Sequence, residues 1–131
     1  MNCPDQQSSA VYAYPDKKAT ACDYTVDFAE RTKTPGLLRK LGQRLQFPDW
    51  YGENFDALYD CLANPEWPKG NKPVLILLSG LPSYANKCPE DFSILLAVLQ
   101  TAMDTRNTER SSAVRILIDA TVPSLAQWPG P

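Results

Sequence analysis

Acidic and aromatic side chains are concentrated in one stretch of the chain, residues 45–68. The stretch contains no Lys or Arg, so it is strongly acidic, whereas the net charge of the whole 131-residue chain is only −2. Its carboxylates are Asp49, Glu53, Asp56, Asp60 and Glu66, and its Trp and Tyr residues are Trp50, Tyr51, Tyr59 and Trp67. Clustered carboxylates attract a cationic surface, and Trp and Tyr are enriched at the energetic centres of protein interfaces. The stretch therefore indicates a surface that binds a cationic or arginine-lined protein.

Two of these carboxylates, Asp56 and Asp60, are predicted to lie together on one face of a short helix. Asn54 is a favourable N-cap, and an apolar pattern of helical period follows it to about Ala63. Asp56 also has a structural explanation, because the helix dipole favours a carboxylate in the first turn. Asp60 lies in the last turn, where the dipole opposes it, and the like-charge pair costs a few tenths of a kcal/mol. Asp60 is therefore the stronger candidate for a binding residue.

The composition excludes several kinds of chemistry. The chain has no histidine, which removes Ser-His-Asp and Cys-His nucleophiles, imidazole acid-base catalysis and the commonest zinc ligand. The pI of about 5.0 disfavours nucleic-acid binding, which needs an excess of Lys and Arg. A metal or catalytic site made of Glu53, Asp56 and Asp60 stays open as an alternative, but three acids on one short helix cannot surround a cation. We expect no metal, no cofactor and no enzymatic activity.

The cysteines and the N-terminal sequence bear on the compartment. Cys3, Cys22, Cys61 and Cys88 have no CxxC spacing, so reduced thiols are expected, with a Cys3–Cys22 disulfide as the alternative. The N-terminus lacks the basic region and apolar run of a secretory signal, and no stretch is long enough to span a membrane. We expect a cytoplasmic protein that does not bind membranes.

The apolar periodicity predicts strands that alternate with helices. The strands are expected at residues 24–28, 73–78 and 114–118, and the helices at 34–47 with Thr34 as cap, at about 54–63, after Leu81 and from Pro89 to Met103. This order predicts an α/β fold with a small three-stranded parallel sheet and about four helices. Residues 1–21 are interpreted as an N-terminal polar extension, 22–120 as the folded domain and 121–131 as a C-terminal tail. Whether either end packs on the domain stays open.

The motif LQFPDWYGENFDALYDCL, from Leu45 to Leu62, closely resembles the recognition loop and second helix of the barstar family of ribonuclease inhibitors. The motif is specific, because its acids, aromatic residues and Gly-Glu-Asn turn follow one another without a gap. The other predicted elements occur in the order of the family's elements, so the resemblance spans roughly residues 22–119. It implies a barstar-like fold and an intracellular antitoxin or immunity protein that binds a barnase-like ribonuclease or toxin nuclease domain as a 1:1 heterodimer.

The resemblance also assigns roles to individual residues. It implies that Asp60 takes the place of a substrate phosphate in the RNA-binding cleft and that Asp56 pairs with an arginine beside the base-binding site. Trp50 is expected to pack on the catalytic region of the ribonuclease. The partner-binding residues implied in this way are Trp50, Tyr51, Gly52, Asn54, Asp56, Tyr59, Asp60, Ala63, Asn64 and Thr101.

Two features depart from the family's pattern and bear on the identity of the target. Thr101 stands where the type member of the family has an interface glutamate on its last helix. The segment NPEWPKGNK, residues 64–72, is longer than its counterpart. A barstar-like fold that binds a protein other than a nuclease stays open as the alternative function.

Overall fold

The structure is a computed structural model that describes residues 8–14, 22–29, 32–70, 72–120 and 122–128. Within these residues, four strands and four helices form a parallel α/β arrangement. In chain order they are β1 (Ala10–Ala13), β2 (Tyr24–Asp27), α1 (Thr34–Arg44), α2 (Phe55–Ala63), β3 (Val74–Ser79), α3 (Leu81–Lys87), α4 (Pro89–Thr108) and β4 (Val114–Ile118).

The strands form one parallel sheet in the order β1-β4-β3-β2. The predicted α/β class and parallel sheet are confirmed, but the predicted number of strands was wrong, because β1 adds a fourth. β1 has only four residues, of which Val11 and Ala13 are buried, so it is too short to show a clear alternating pattern. It pairs with β4, with Ala10 opposite Arg115 and Ala13 opposite Ile118. A segment interpreted as part of the N-terminal extension therefore belongs to the sheet.

Residues near the C-terminus continue the β1 edge of the sheet. Ala13 bridges to Gln127, and the Trp128 N–H donates to the Ala13 carbonyl oxygen at 2.9 Å. The rings of Tyr12 and Trp128 meet edge to face, with centroids 5.2 Å apart. The described parts of both chain ends therefore pack together at the β1 edge of the sheet, opposite β2.

The sequence of β3 is a continuous apolar run, a pattern typical of a strand buried on both faces, but only part of the strand is buried. Ile76 and Leu78 are buried. Val74, Leu75 and Leu77 are partly exposed. Successive side chains of a strand point to opposite faces, so the face that holds Ile76 is covered more completely than the other.

The strands shared with the prediction and α2 are confirmed to within one residue, but two helices differ from it. α1 has Lys33 as its N-cap, and the Thr34 hydroxyl instead donates to the Asp91 carboxylate at 2.5 Å. α4 continues to Thr108, more than one turn further than predicted. Its last turns are held by the buried side chain of Arg106, a tertiary contact that a periodicity pattern does not reveal.

The core lies between the sheet and the helices, and α2 packs extensively along α4. The buried side chains that α1, α2 and α4 contribute include Leu37, Leu38, Leu41, Leu58, Leu62, Leu95, Leu99 and Met103. Because α2 and α4 share this core, their outer faces form one continuous surface. None of the helices in the described ranges is long and apolar enough to cross a membrane.

Candidate partner-binding surface

The acidic pair Asp56 and Asp60 is presented by α2. As predicted, Asn54 is the N-cap of this helix, and its side-chain oxygen accepts the Ala57 N–H at 2.7 Å. Both carboxylates are exposed, and neither forms a hydrogen bond or ion pair with another described residue. Exposed acids held by a rigid helix and left without an internal partner are available to an external cation.

The helix dipole stabilises the two carboxylates differently. Asp56 lies in the first turn of α2, where the dipole favours it, and the last turn contains Asp60 but no basic residue. Glu53, just before the helix, has a left-handed backbone with φ 56° and approaches Arg39 at 3.7 Å, an exposed and therefore weak pair. Asp60 is thus the carboxylate that gains least from its own helix.

The two adjacent aromatic residues before the helix have different environments. The Trp50 side chain is 57% exposed, whereas Tyr51 is half-buried and its hydroxyl donates to the Leu38 carbonyl oxygen at 2.8 Å. Burial raises the pKa of Tyr51 well above its ordinary value. Tyr51 therefore fixes the loop to α1, and Trp50 is the ring that the loop presents to solvent.

The absence of a side chain at Gly42 leaves room for the ring of Tyr51. A Cβ atom at residue 42 would lie 2.6 Å from ring carbons of Tyr51, closer than van der Waals contact permits. A glycine in a helix ordinarily costs stability relative to alanine. Here the missing side chain lets the ring lie directly against α1.

A second layer of aromatic rings supports the loop from below. Phe47 packs edge to face with Tyr51 at 5.0 Å and with Trp67 at 5.3 Å. Trp67 is 6% exposed, and its indole N–H donates to the Leu45 carbonyl oxygen at 2.8 Å. The longer segment after α2 therefore folds back under the loop that carries Trp50.

Arg106 joins the end of α2 to the end of α4. Its guanidinium is fully buried and donates to the carbonyl oxygens of Leu62 at 2.9 Å, Asn64 at 3.0 Å and Ser112 at 2.8 Å. It also lies 5.8 Å from the centre of the Trp67 ring, within the range of a cation–π contact. Burial lowers the pKa of Arg106 to about 10, which leaves it charged at neutral pH.

A groove of about 650 Å³ separates α2 from α4 on the outer face. The α2 wall carries Asp56 and Asp60, and the Tyr59 hydroxyl is hydrogen-bonded to Thr105 of α4 at 2.7 Å. The residues that line the groove are Phe55, Asp56, Tyr59, Asp60, Ile94, Ala97, Val98 and Thr101. The acidic pair thus shares one depression with an uncharged wall of α4.

The structure brings most of the sequence-predicted site residues to two depressions. Four line the α2/α4 groove: Asp56, Tyr59, Asp60 and Thr101. Trp50 and Asn64 line a second pocket of about 370 Å³ together with Trp67. Gly52 and Asn54 are exposed and line neither depression. Tyr51 is half-buried, and Ala63, only 9% exposed, lies in the core, so it offers a partner little surface.

Sequence reasoning missed the apolar residues that line the groove, such as Ile94, and two buried residues that support the surface, Arg106 and Trp67. Ile94 lies in a helix that also supplies core residues such as Leu95 and Leu99, and it falls outside their inward stripe. Arg106 carries no sequence signal, because a buried arginine in a helix looks like an exposed one. Trp67 was noted as an aromatic residue of the acidic stretch, but its burial beneath the loop was not predicted.

The described residues contain no group of three or more His, Cys, Asp or Glu side chains placed to hold a metal ion.

Cys61 is buried, and burial raises the pKa of its thiol to about 11. Cys22 carries a free thiol, and Cys3, its alternative disulfide partner, lies outside the described residues.

Comparison with known proteins identifies the family. Residues 23–119 match the family model described as Barstar (barnase inhibitor). A search of curated proteins gave no match. The family match covers well over half of the chain and includes the loop, α2, the groove and Arg106, and the chain therefore belongs to the barstar family of barnase inhibitors.

Proposed function

We propose that this chain is a non-catalytic inhibitor of a barnase-like ribonuclease or toxin nuclease domain, which it binds 1:1. The surface around Trp50, Asp56 and Asp60 covers the RNA-binding cleft of the enzyme. Asp60 occupies the place of a substrate phosphate, and Asp56 pairs with an arginine beside the base-binding site. The chain acts as a cytoplasmic antitoxin or immunity protein. Family membership supports the coarser part of this proposal, inhibition of a barnase-type enzyme.

The observation that carries the proposal is the exposed acidic pair on α2, which has no internal partner among the described residues. A ribonuclease cleft must attract a polyanion, so its potential is positive. Clustered carboxylates gain long-range steering as well as contact energy from such a cleft. The dipole of α2 destabilises the Asp60 carboxylate in the last turn, where no basic residue offsets it. A cationic partner therefore stabilises Asp60 more than it stabilises Asp56.

The support beneath the loop favours binding by a preformed surface. Tyr51 is fixed to α1, the ring of Phe47 packs against Trp67, and Arg106 fixes the end of α2. Side chains that are already ordered lose less conformational entropy when a partner binds. The surface is therefore suited to tight binding without rearrangement.

The test uses barnase and the barnase-like ribonucleases of the cell that makes this chain. RNA cleavage is measured while each enzyme is titrated with the wild-type chain, with Asp60→Asn and with Asp104→Asn. Asp104 is an exposed carboxylate of α4 that lies outside the groove, so Asp104→Asn makes the same change in net charge elsewhere. Asp60→Asn is expected to weaken inhibition by about 30-fold or more, and Asp104→Asn by less than about threefold.

Thermal unfolding of the free chain separates binding from folding. Asp60→Asn should leave the melting temperature unchanged or slightly raised, because it removes a like-charge neighbour of Asp56 and an unfavourable dipole contribution. A clear fall in melting temperature with inhibition intact would make Asp60 a structural residue. Failure of the wild-type chain to inhibit any of the ribonucleases would favour the alternative, a barstar-like fold that binds another kind of protein.

A further inference from the structure

We propose that the uncharged α4 wall of the groove, formed by Ile94, Ala97 and Val98, binds an uncharged aliphatic or aromatic side chain of the same nuclease that the acidic pair attracts. This inference rests on the proposed function and specifies the chemistry of the partner at one edge of the interface. It adds a second, apolar contact to the electrostatic one.

The exposure of Ile94 is the first observation. Among the described residues, the large hydrophobic side chains that are exposed are Trp50 at 57% and Ile94 at 45%. A single exposed apolar residue needs no explanation. Ile94, however, lies in the same groove as both acids of the pair, so it is placed where a partner is expected to bind.

Continuity of the surface is the second observation. Asp56 and Asp60 line one side of the groove, and Ile94 and Val98 line the other. A stable protein interface covers roughly 800 Å² on each partner, which is more than one wall of such a groove can supply. The α4 wall faces the acidic pair across the groove, so it is the adjacent surface that a partner bound to the pair would cover.

The difference in charge between the two walls selects the occupant. The α2 wall carries two carboxylates, whereas the α4 wall offers methyl groups and the hydroxyl of Thr101. A charged partner group placed against the methyl groups of Ile94 and Val98 would lose hydration to a wall that itself supplies no opposite charge, which is costly. A partner that places an apolar side chain against Ile94 and cationic groups against Asp56 and Asp60 complements both walls of the groove.

A second copy of this chain fits the groove less well. A symmetric dimer built on this surface would bring the Asp56–Asp60 pairs of both copies close together, and like charges at an interface are unfavourable. The described parts of the chain ends pack at the β1 edge of the sheet, beside Trp128, and do not line the groove.

The test measures association and dissociation rates for the ribonuclease that the inhibition assay identifies as bound, with barnase as a second probe. Ile94→Thr keeps the branched shape but removes apolar surface, and is expected to raise Kd by about three- to tenfold, mainly through faster dissociation. Its salt dependence should match that of the wild-type chain. Asp60→Asn, in contrast, should slow association and reduce the salt dependence.

Ile94→Glu tests the chemistry of the facing surface. Glutamate is a good helix former and the site is exposed, so the variant should fold, which circular dichroism checks. An uncharged facing surface predicts binding weakened by about tenfold or more. Tighter binding of Ile94→Glu would mean that a cation faces the α4 wall and would overturn the inference.

The outcomes distinguish this inference from the proposed function. If Ile94→Thr and Ile94→Glu leave binding unchanged while Asp60→Asn weakens it, the α4 wall is outside the interface and the inhibitor proposal stands. If no variant alters inhibition, the proposed surface itself is wrong. Sedimentation equilibrium of the free chain provides the remaining check, because self-association that Ile94→Glu abolishes would assign the groove to a second copy.

Discussion

Replacement of Arg106 by methionine should destabilise the fold and loosen the end of α2. Methionine fills a similar volume but donates no hydrogen bonds, so the buried carbonyl oxygen of Leu62 and the partly buried carbonyl oxygens of Asn64 and Ser112 lose the guanidinium. Each unsatisfied buried polar group costs about 1–3 kcal/mol. Part of this cost is offset, because the lowered pKa of Arg106 indicates that burial opposes its charge. We therefore expect a net loss of about 2–4 kcal/mol in the free energy of unfolding.

This magnitude corresponds to a fall in melting temperature of roughly 7–15 °C, since a domain of this size unfolds with an entropy of about 2.1 cal/mol/K per residue. The assay is urea unfolding followed by circular dichroism, with Arg44→Met as the matched control. Arg44 is an exposed residue in the last turn of α1, so its replacement should cost less than about 1 kcal/mol.

The kinetics of ribonuclease binding give a readout that global stability does not. Because Arg106 holds the end of α2, Arg106→Met should increase the dissociation rate even at temperatures where the variant remains fully folded. Equal stabilities of Arg106→Met and Arg44→Met would refute the reasoning that the guanidinium network stabilises the fold. An unchanged dissociation rate would refute its role in positioning the binding surface.

Three further predictions follow from individual side chains. Gly42→Ala should lower stability, although Gly→Ala in a helix usually raises it, because the new Cβ would displace the ring of Tyr51; thermal unfolding and ribonuclease inhibition together test this. The raised pKa of Cys61 contributes stability that is fully present below pH 9 and is lost as the pH rises from about 9 to about 11, because the unfolded chain loses the thiol proton first. The melting temperatures of the wild-type chain and of Cys61→Ala should therefore converge over that pH range. Parallel curves of melting temperature against pH would contradict the prediction. Thr101→Glu should leave binding to the native partner unchanged or weaken it, and should strengthen binding to barnase, because charges at the rim of an interface set its specificity. Titration of both enzymes tests this, and equal effects on the two would contradict it.

The class of the fold and the centre of the candidate surface follow from local patterns in the sequence. Strands that alternate with helices specify a parallel sheet, because a parallel connection needs a crossover, and here the crossover helices are visible as apolar periodicity. The acidic pair could be predicted in the same way. Asp56 and Asp60 are four residues apart in a helix that begins after the N-cap Asn54, and this spacing places both side chains on one helical face independently of tertiary structure.

Three other features depend on how the elements pack. β1 is too short to form a readable pattern, and it becomes a strand because β4 offers it an edge for pairing. Arg106 is buried because carbonyl oxygens from the end of α2, more than 40 residues away in sequence, meet the nearby Ser112 carbonyl oxygen around its guanidinium. Ile94 belongs to the candidate surface because α4 packs along α2 and turns it toward Asp56 and Asp60. Local patterns specify which face of each element is apolar, whereas the neighbour that each face meets depends on how the elements pack.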